Sequence, residues 1–329
     1  MMVKLGLIGC GRIGTLHAKN LKTRVPGVEL VAVSDVNLES ARRLASELGL
    51  EKATADYREL LRMDLDGVLV CTSTETHREI VVAASEAGKH IFCEKPLARD
   101  LKEVDEMLEA VRKGRVKLQV GFNRRFDPNI SALKAQIPGL GRPLLLKITS
   151  RDPDFPPFEY LRVSGGIWVD MTIHDFDMAR FLMGEVEEVY STGSVLLEPR
   201  LKELGDLDTV VTVLRFESGA LGVIDNCRRA VYGYDQRVEV LGERGMVEVP
   251  NLRPVSSLRH DETGTHLPKM YHFFPDRYEL SFVEEMRAFV RCIQTDMEPP
   301  VTGEDGKKAL VLALLAQRSF QEGRPLKVG

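Results

Sequence analysis

The N-terminal segment constrains the fold most, because a strand, a glycine-rich turn and a helix follow one another without a gap. Residues 3–8, VKLGLI, are a short apolar run that is typical of a buried parallel strand. The turn GCGRIG follows at residues 9–14, and residues 12–23 have a helical pattern. Glycines in this arrangement allow a tight turn and a close approach of the backbone to a pyrophosphate, which the helix N-terminus also attracts. The pattern predicts a dinucleotide site that includes Gly9, Gly11, Arg12, Ile13 and Gly14.

An acidic residue ends the second predicted strand, VELVAVS. This residue is Asp35, 21 residues after Gly14. At such a position a carboxylate hydrogen-bonds the ribose hydroxyls of a dinucleotide. Its charge would also repel a 2′-phosphate, so the sequence favours NAD over NADP, with Asp35 and Val36 as cofactor contacts. The alternative is that Asp35 serves as a helix N-cap or a turn residue.

Strands and helices keep alternating as far as residue 121, which predicts a doubly wound parallel sheet of the Rossmann type. Ligands bind at the carboxyl ends of the strands in such sheets. Two strand ends have residues that we predict to contact the cofactor: Cys71, Thr72 and Ser73 after one strand, and Glu94 and Lys95 after another. His77 is a further candidate, and the alternative for it is a surface position at the start of a helix.

The tripeptide Glu94-Lys95-Pro96 is also a candidate for chemistry. A lysine at the end of a buried strand can donate hydrogen bonds to a reacting hydroxyl or carbonyl oxygen. Pro96 would stiffen the turn, and a cis bond before it is one option. The alternative is an ordinary strand-to-helix turn with a solvated Lys95.

A second candidate for chemistry lies in the stretch Gly165 to Gly184, GGIWVDMTIHDFDMARFLMG. Asp170 and His174 are four residues apart, so on a helix they share one face. A carboxylate beside an imidazole orients a general base and stabilises its protonated form. One alternative is a buried helix in which the two side chains satisfy each other. Another is metal binding by Asp170, His174, Asp175 and Asp177.

The rest of the chain predicts a second domain. We place the boundary near Gly121, with residues 1–121 binding the cofactor and residues 122–329 binding substrate and forming oligomer contacts. Several strand-like segments separated by tight-turn sequences predict a large, mainly antiparallel open sheet, so the overall class is α/β with a C-terminal α+β domain. The proline-rich segment 152–166 is a candidate lid. Candidate substrate contacts are Arg125, Asp152, Tyr232, Tyr234 and Asp235.

Composition excludes several classes of function. The net charge of -4 gives no basic field for nucleic acid or a membrane surface. No apolar run reaches the length of a transmembrane helix, and the N terminus has no signal-peptide layout. The five cysteines are scattered and form no CxxC pair, which indicates reduced thiols in a cytoplasmic protein.

Together, GCGRIG, Asp35, Glu94-Lys95-Pro96 and DMTIHDFDMARFL resemble the Gfo/Idh/MocA oxidoreductases over nearly the whole chain, and within that family the inositol dehydrogenases. The resemblance implies that Lys95, Asp170 and His174 form the catalytic group and that no metal is required. It also implies an NAD-dependent oxidation of a cyclic polyol, myo-inositol to 2-keto-myo-inositol (scyllo-inosose), by a homo-oligomer, most often a tetramer. Tyr234 and Asp235 resemble the family's YGYD stretch. The chain departs from many relatives at Ser73, where they have a proline.

Other functions remain compatible with these motifs. A related sugar dehydrogenase or a scyllo-inositol dehydrogenase would share all of them. A non-catalytic NAD(H)-binding sensor could use the same fold, although Lys95 and His174 are both present. A metal-dependent isomerase would need no nicotinamide.

Overall fold

The structure, a computed structural model, describes residues 2–329. Contacts between residues divide it into two compact units. The first contains the chain up to Phe126 and the later segment Leu280–Lys308, and the second contains Asp127–Glu279 and Ala309–Gly329. A single division at Gly121 therefore differs from the observed units in two ways. The first unit continues five residues further, and it takes in a helical segment from near the C terminus.

Strands and helices alternate throughout the N-terminal part of the first unit. In chain order they are β1 (Val3–Ile8), α1 (Arg12–Thr23), β2 (Val28–Ser34), α2 (Leu38–Leu48), β3 (Lys52–Thr54), α3 (Tyr57–Leu61), β4 (Gly67–Val70), α4 (Thr74–Glu86), β5 (His90–Cys93), α5 (Leu101–Gly114) and β6 (Leu118–Val120). Within residues 2–329, six strands form this sheet in the order β3-β2-β1-β4-β5-β6, and all neighbouring pairs are parallel. The prediction of a Rossmann-type doubly wound sheet is confirmed.

The later elements include all seven strands of the second sheet. In chain order they are α6 (Pro128–Gln136), β7 (Pro143–Arg151), α7 (Phe158–Leu161), α8 (Ile173–Met183), β8 (Val186–Ser194), α9 (Leu201–Leu204), β9 (Thr209–Phe216), β10 (Leu221–Cys227), β11 (Asp235–Gly242), β12 (Gly245–Val249), β13 (Arg259–Asp261), β14 (Gly264–His266), α10 (Phe274–Arg277), α11 (Glu279–Thr295), α12 (Gly303–Glu322) and β15 (Leu326–Lys327).

The helix α11 explains why a late segment belongs to the first unit. Its apolar side chains Val283, Met286 and Phe289 are almost completely buried and belong to the same core cluster as Leu5 and Leu7 of β1. Burial of such side chains is the main favourable contribution to folding. The sequence pattern of α11 predicts a core-facing helix, and the structure shows which core it completes.

The second sheet is open and mixed. Among the described residues, seven strands form it in the order β12-β11-β7-β10-β9-β8-β15. The pair β10 and β7 is parallel, and the other pairs are antiparallel. Along β9 buried and exposed residues alternate, so one face packs inward and the other is open. The predicted mainly antiparallel sheet is confirmed.

Within residues 2–329, every helix is too short or too polar to span a bilayer.

Candidate active site

In the first unit, backbone geometry requires the first and last glycines of the predicted cofactor turn. Gly9 has φ +98°, and a Cβ on it would lie 2.5 Å from the carbonyl oxygen of Cys71. A Cβ on Gly14 would lie 1.9 Å from the carbonyl oxygen of Gly9. By contrast, a Cβ on Gly11 would meet no described atom within 4 Å. The middle glycine thus faces open space at the start of α1, as expected where a pyrophosphate approaches the backbone.

The carboxylate of Asp35 is held beside this turn. One oxygen accepts a hydrogen bond from the backbone N–H of Cys10 at 2.7 Å, and the other accepts from the N–H of Asn37 at 2.9 Å. The N-cap of α2 is Asn37, so the N-cap alternative for Asp35 is wrong. The turn alternative is correct in part, because Asp35 accepts the Asn37 N–H and stabilises the turn. The next residue, Val36, is 95% exposed. An oriented carboxylate and an exposed apolar side chain fit the ribose and adenine end of a dinucleotide.

The turn after β5 contains a cis peptide bond between Lys95 and Pro96, one of the two forms considered for this turn above. The Glu94 side chain stabilises this turn through two contacts. Its carboxylate contacts His17 Nε2 of α1 at 2.8 Å and accepts from the backbone N–H of Lys95 at 3.3 Å. His17 is fully buried. Glu94 therefore connects the catalytic candidate Lys95 to the glycine-turn helix, a link that the sequence motifs do not reveal.

His77 is buried, so its alternative as a surface histidine is wrong. Its two ring nitrogens lie 3.0 Å from the carbonyl oxygen of Pro96 and 3.1 Å from that of Thr72. Burial lowers the pKa of His77 despite these carbonyls, so the ring is neutral at neutral pH. The side chain ties the end of β4 to the turn at Pro96. Cys71, in the same loop, is a buried thiol whose pKa is raised well above its ordinary value by burial, and it is not a thiolate.

In the second unit, two glycines and a carboxylate define the start of the helix that contains Asp170. Gly165 and Gly166 have φ +88° and +85°, a region that favours glycine. The Oδ1 atom of Asp206 accepts a hydrogen bond from the N–H of Ile167 at 2.8 Å. The first turn, Trp168–Thr172, is a π-helix, and α8 continues it. Such turns are frequent at functional sites.

Both oxygens of Asp170 accept hydrogen bonds from side chains outside its own helix. The Tyr160 hydroxyl donates to Oδ1 at 2.6 Å, and Arg228 Nη1 donates to Oδ2 at 2.9 Å. The Arg228 side chain is completely buried, and its Nη2 donates to Asp206 Oδ2 at 3.0 Å. Burial disfavours the guanidinium cation, but Asp170 and Asp206 more than offset this and raise the pKa of Arg228. Asp170 is thus a carboxylate with fixed orientation.

A second buried network anchors the helix next to His174. Ser150 Oγ donates to Asp175 Oδ1 at 2.6 Å, and Asn226 Nδ2 donates to Asp175 Oδ2 at 2.7 Å. Thr172 Oγ1 donates to Asn226 Oδ1 at 2.7 Å. Because Ser150 and Asn226 lie on β7 and β10, the helix is fixed to the centre of the sheet. Asp175 is therefore structural, and the described part of the chain has no group of three or more metal-ligating side chains suited to a metal ion.

The other predicted substrate residues differ in their surroundings. Arg125 donates to Asp305 Oδ1 at 3.0 Å and its side chain is 9% exposed, so it forms a shielded ion pair. Tyr234 is 6% exposed and packs edge-on against two aromatic rings. The carboxylate of Asp235 accepts from Tyr232, Arg237 and Asn251. Asp152 is half-buried, and its charge acts on Arg228 and Tyr160.

No sequence motif indicates four residues that support the site: Tyr160, Asp206, Arg228 and His17. The only local sign of Arg228 is its place directly after the apolar strand β10, and it shares that place with the exposed Arg229.

Comparison with known proteins identifies the family. Residues 3–122 match the family model described as "Oxidoreductase family, NAD-binding Rossmann fold", and residues 134–328 match its C-terminal alpha/beta domain. The chain belongs to the Gfo/Idh/MocA oxidoreductase family. The predicted family and its NAD-binding Rossmann domain are therefore confirmed.

Three relatives of this family member cover nearly its full length. It is 50% identical to a myo-inositol 2-dehydrogenase of Thermotoga maritima, over 99% of this chain and 98% of the relative. It is 43% identical to an inositol 2-dehydrogenase of Rhizobium meliloti, over 100% of both chains. The structure of a scyllo-inositol dehydrogenase of Lactobacillus casei, solved with NAD(H) and scyllo-inositol, superposes with a TM-score of 0.93 at 28% identity and covers 99% of each chain.

Proposed function

We propose that this protein oxidises the secondary hydroxyl of a cyclic polyol with NAD, and that its substrate is myo-inositol, which becomes 2-keto-myo-inositol. The observation that carries the proposal is the full-length similarity, at 50% identity, to a myo-inositol 2-dehydrogenase. The side chains required for the chemistry are present as well. Lys95 lies at a strand end in the first unit, and Asp170 and His174 lie on one helix in the second.

The proton is handled by residues of this chain. His174 accepts the hydroxyl proton, and Asp170 stabilises the imidazolium that forms. Lys95 donates a hydrogen bond to the reacting oxygen, which lowers the cost of its alkoxide character. When NAD is bound, its nicotinamide supplies the hydride acceptor. Asp170 suits its role because Tyr160 and Arg228 hold it as an oriented carboxylate.

The residues around the glycine turn fit NAD rather than NADP. The cofactor contacts that we propose are Gly9, Gly11, Arg12, Ile13, Gly14, Asp35, Val36, Cys71, Thr72, Ser73 and Lys95. Asp35 supports the choice of NAD, because its oriented carboxylate would repel a 2′-phosphate. Glu94 and His77 instead stabilise the loops after β5 and β4. The Glu94 side chain contacts His17, and the His77 ring contacts the carbonyl groups of Thr72 and Pro96.

Substrate contacts follow from the catalytic roles proposed above and, for the other candidates, from what each side chain already binds. We propose Lys95, Asp152, Asp170 and His174 as the residues closest to the polyol. Arg125 and Tyr234 are supported less well, because an ion pair and aromatic packing already engage them. A scyllo-inositol dehydrogenase is the second candidate, and the similarity to the Lactobacillus casei enzyme favours it. A non-catalytic sensor has less support, because Lys95 and His174 are both retained.

The second sheet supports the proposal of a homo-oligomer, a tetramer or a dimer. Its open face presents apolar side chains that are 37–42% exposed on four of its strands, β8, β9, β10 and β11: Tyr190, Val211, Val213, Leu221 and Leu241. Such a patch is typical of a contact with another protein surface. We propose a second copy of this chain as its partner. Five free cysteines, four of them buried, support a cytoplasmic location.

The deciding experiment is NADH formation, followed by absorbance, with NAD and a panel of inositols and aldoses. Wild type is compared with His174→Ala and with His260→Ala, a control at an exposed histidine. Turnover of myo-inositol that falls by about 10²–10⁴-fold in His174→Ala alone supports the proposal and its base. Turnover of scyllo-inositol or an aldose alone would replace the substrate. NADH binding without any turnover would favour a sensor.

A further inference from the structure

One completely buried cation stands out in the second unit. The Arg228 side chain is fully inaccessible and contacts two carboxylates, Asp170 at 2.9 Å and Asp206 at 3.0 Å. Its Nε donates to the backbone carbonyl of Leu207 at 3.3 Å. Each of the three guanidinium nitrogens thus donates to a fixed acceptor, and one of these acceptors is Asp170, the carboxylate assigned to the general base.

The same carboxylates organise the backbone around the helix start. Asp206 accepts from the N–H groups of Ile167 and Leu207, each at 2.8 Å, through the oxygen that Arg228 does not use. Arg228 itself follows β10, and its N–H donates to the carbonyl of Asp208 at 2.8 Å. The guanidinium therefore joins three segments: the loop before β9, the end of β10 and the helix that contains Asp170. A side chain so placed fixes Asp170 relative to the sheet.

We propose that Arg228 is a positioning residue of the dehydrogenase reaction: it fixes the Asp170 carboxylate and limits how strongly His174 retains a proton. Tyr160 completes this function from the segment 152–166, since its hydroxyl donates to the other Asp170 oxygen at 2.6 Å. The inference rests on the proposed function only for its activity readout. It names a specific role for two residues that no sequence motif indicates.

The local charges give the direction of the effect. The charges of Asp170 and Asp152 act on both Tyr160 and Arg228, and the charge of Asp206 acts on Arg228 as well. His174 follows Asp170 on the same helix. Arg228 is a permanent cation in contact with Asp170, and the carboxylates of Asp170, Asp206 and Asp152 all act on it. Without it the field at His174 becomes more negative, and a negative field favours the imidazolium. His174 would then stay protonated to higher pH and could not accept the hydroxyl proton at neutral pH.

The test compares Arg228→Gln, Arg228→Lys and Tyr160→Phe with Arg229→Gln, the matched control at the adjacent exposed arginine. The readout is kcat/KM for inositol oxidation from pH 5.5 to 10. We expect Arg228→Gln to shift the acidic limb of the kcat/KM pH profile to higher pH, by about one pH unit. Arg228→Lys keeps the positive charge but cannot hydrogen-bond Asp170 and Asp206 with the geometry of a guanidinium. The acidic limb of its pH profile should therefore stay in place, while kcat falls about tenfold to a hundredfold. Tyr160→Phe should lower kcat less, with KM nearly unchanged.

A second readout makes the inference independent of turnover. The His174 imidazole is titrated by NMR in wild type and in each variant, with its signal assigned from His174→Asn. A higher midpoint in Arg228→Gln but not in Arg229→Gln supports the inference even if no tested polyol is oxidised, an outcome that would overturn the proposed function alone. If Arg228→Gln does not fold, Arg228→Lys and Tyr160→Phe decide. Wild-type kcat and wild-type His174 titration in the folded Arg228 or Tyr160 variants would overturn the inference.

Discussion

Glu285 in the first unit and Asp170 in the second are carboxyls in opposite surroundings. Glu285 lies on α11, is fully buried, and neither of its oxygens has a hydrogen-bond partner among residues 2–329. Burial, with the charge of Glu94 as a further cause, raises the pKa of Glu285 well above its ordinary value. Asp170 instead has Arg228 on one oxygen and Tyr160 on the other. In the first unit, burial without a partner favours the protonated form of Glu285. In the second unit, the Arg228 guanidinium supplies a counter-charge to Asp170.

The difference follows from what each unit must do. In the first unit, the proposed cofactor site depends mainly on backbone geometry. Its features are glycines at positions where the backbone packs closely, a cis peptide bond, and carbonyl groups around the His77 ring. The base half requires a carboxylate that remains ionised next to a histidine that changes charge. Such a carboxylate needs a permanent counter-charge when it is shielded from water. Substitutions should therefore act through sterics in the first unit and through charge in the second.

The largest effect should come from removing the counter-charge. We expect Arg228→Met to lower the free energy of unfolding by about 3–5 kcal/mol, because it leaves shielded carboxylates without their cation. Urea unfolding at pH 7 measures the change, and Arg229→Met is the control at an exposed position. Equal stability of these two variants would mean that Arg228 does not compensate buried charge, and the contrast between the units would fail.

A purely steric change tests the first unit. Gly14→Ala would place a Cβ 1.9 Å from the carbonyl oxygen of Gly9, so we expect a loss of about 3 kcal/mol, the upper end for an overpacked site. Gly11→Ala is the matched control, since its Cβ would face open space. It should retain stability and lose only NAD affinity, as measured by thermal unfolding and by NADH titration. Equal destabilisation by both variants would contradict the steric account.

These contrasts also explain what the sequence could predict. The glycine turn, Asp35 and Lys95 occupy fixed places relative to strand ends, so local pattern and spacing identify them. The contact of Arg228 with Asp170 joins residues 58 apart, and that of His17 with Glu94 joins residues 77 apart. No local periodicity records such pairs. The sequence therefore indicates the helix with Asp170 and His174 but not the side chains that hold Asp170.

The fold was predictable to a similar depth. Alternating strands and helices predicted the parallel sheet, and short turn-separated strands predicted the second sheet. The packing of α11 into the first core was not predictable, because its apolar stripe would suit either unit. Exposure was equally hard to predict for single residues. Histidine and tyrosine side chains occur both in protein cores and on protein surfaces, and here His77 and Tyr234 are both buried.

Cofactor choice should respond to one charge in the first unit. We expect Asp35→Asn, which keeps the side-chain shape, to weaken NADH binding about tenfold to a hundredfold, because a charge-assisted hydrogen bond to the ribose is lost. NADPH binding should improve relative to NADH, because the repulsion of the 2′-phosphate is removed. Fluorescence titration with both cofactors measures the ratio. Asp56→Asn, at the N-cap of α3, is a control that should leave it unchanged. If Asp35→Asn leaves the ratio of NADH to NADPH affinity unchanged, Asp35 does not determine the choice of cofactor.

The smallest effect concerns Glu285 in the first unit, whose contribution to the free energy of unfolding should depend on pH. Because the folded-state pKa of Glu285 lies above its unfolded value of 4.5, the folded protein binds the extra proton between these two pH values. This site therefore stabilises the fold fully below pH 4.5, and its contribution falls as pH rises towards the folded pKa, by at most about 1.4 kcal/mol per pH unit. Glu285→Gln cannot ionise and lacks this loss.

Urea unfolding at pH 5, 6 and 7 measures the effect. We expect the stability of Glu285→Gln relative to wild type to increase with each step, whereas Glu284→Gln, the partly exposed neighbour, should follow the wild-type pH dependence. A constant difference between Glu285→Gln and wild type would mean that Glu285 is already ionised at pH 5. A counter-charge would then have to lie beside it, and the two units would handle buried acids in the same way.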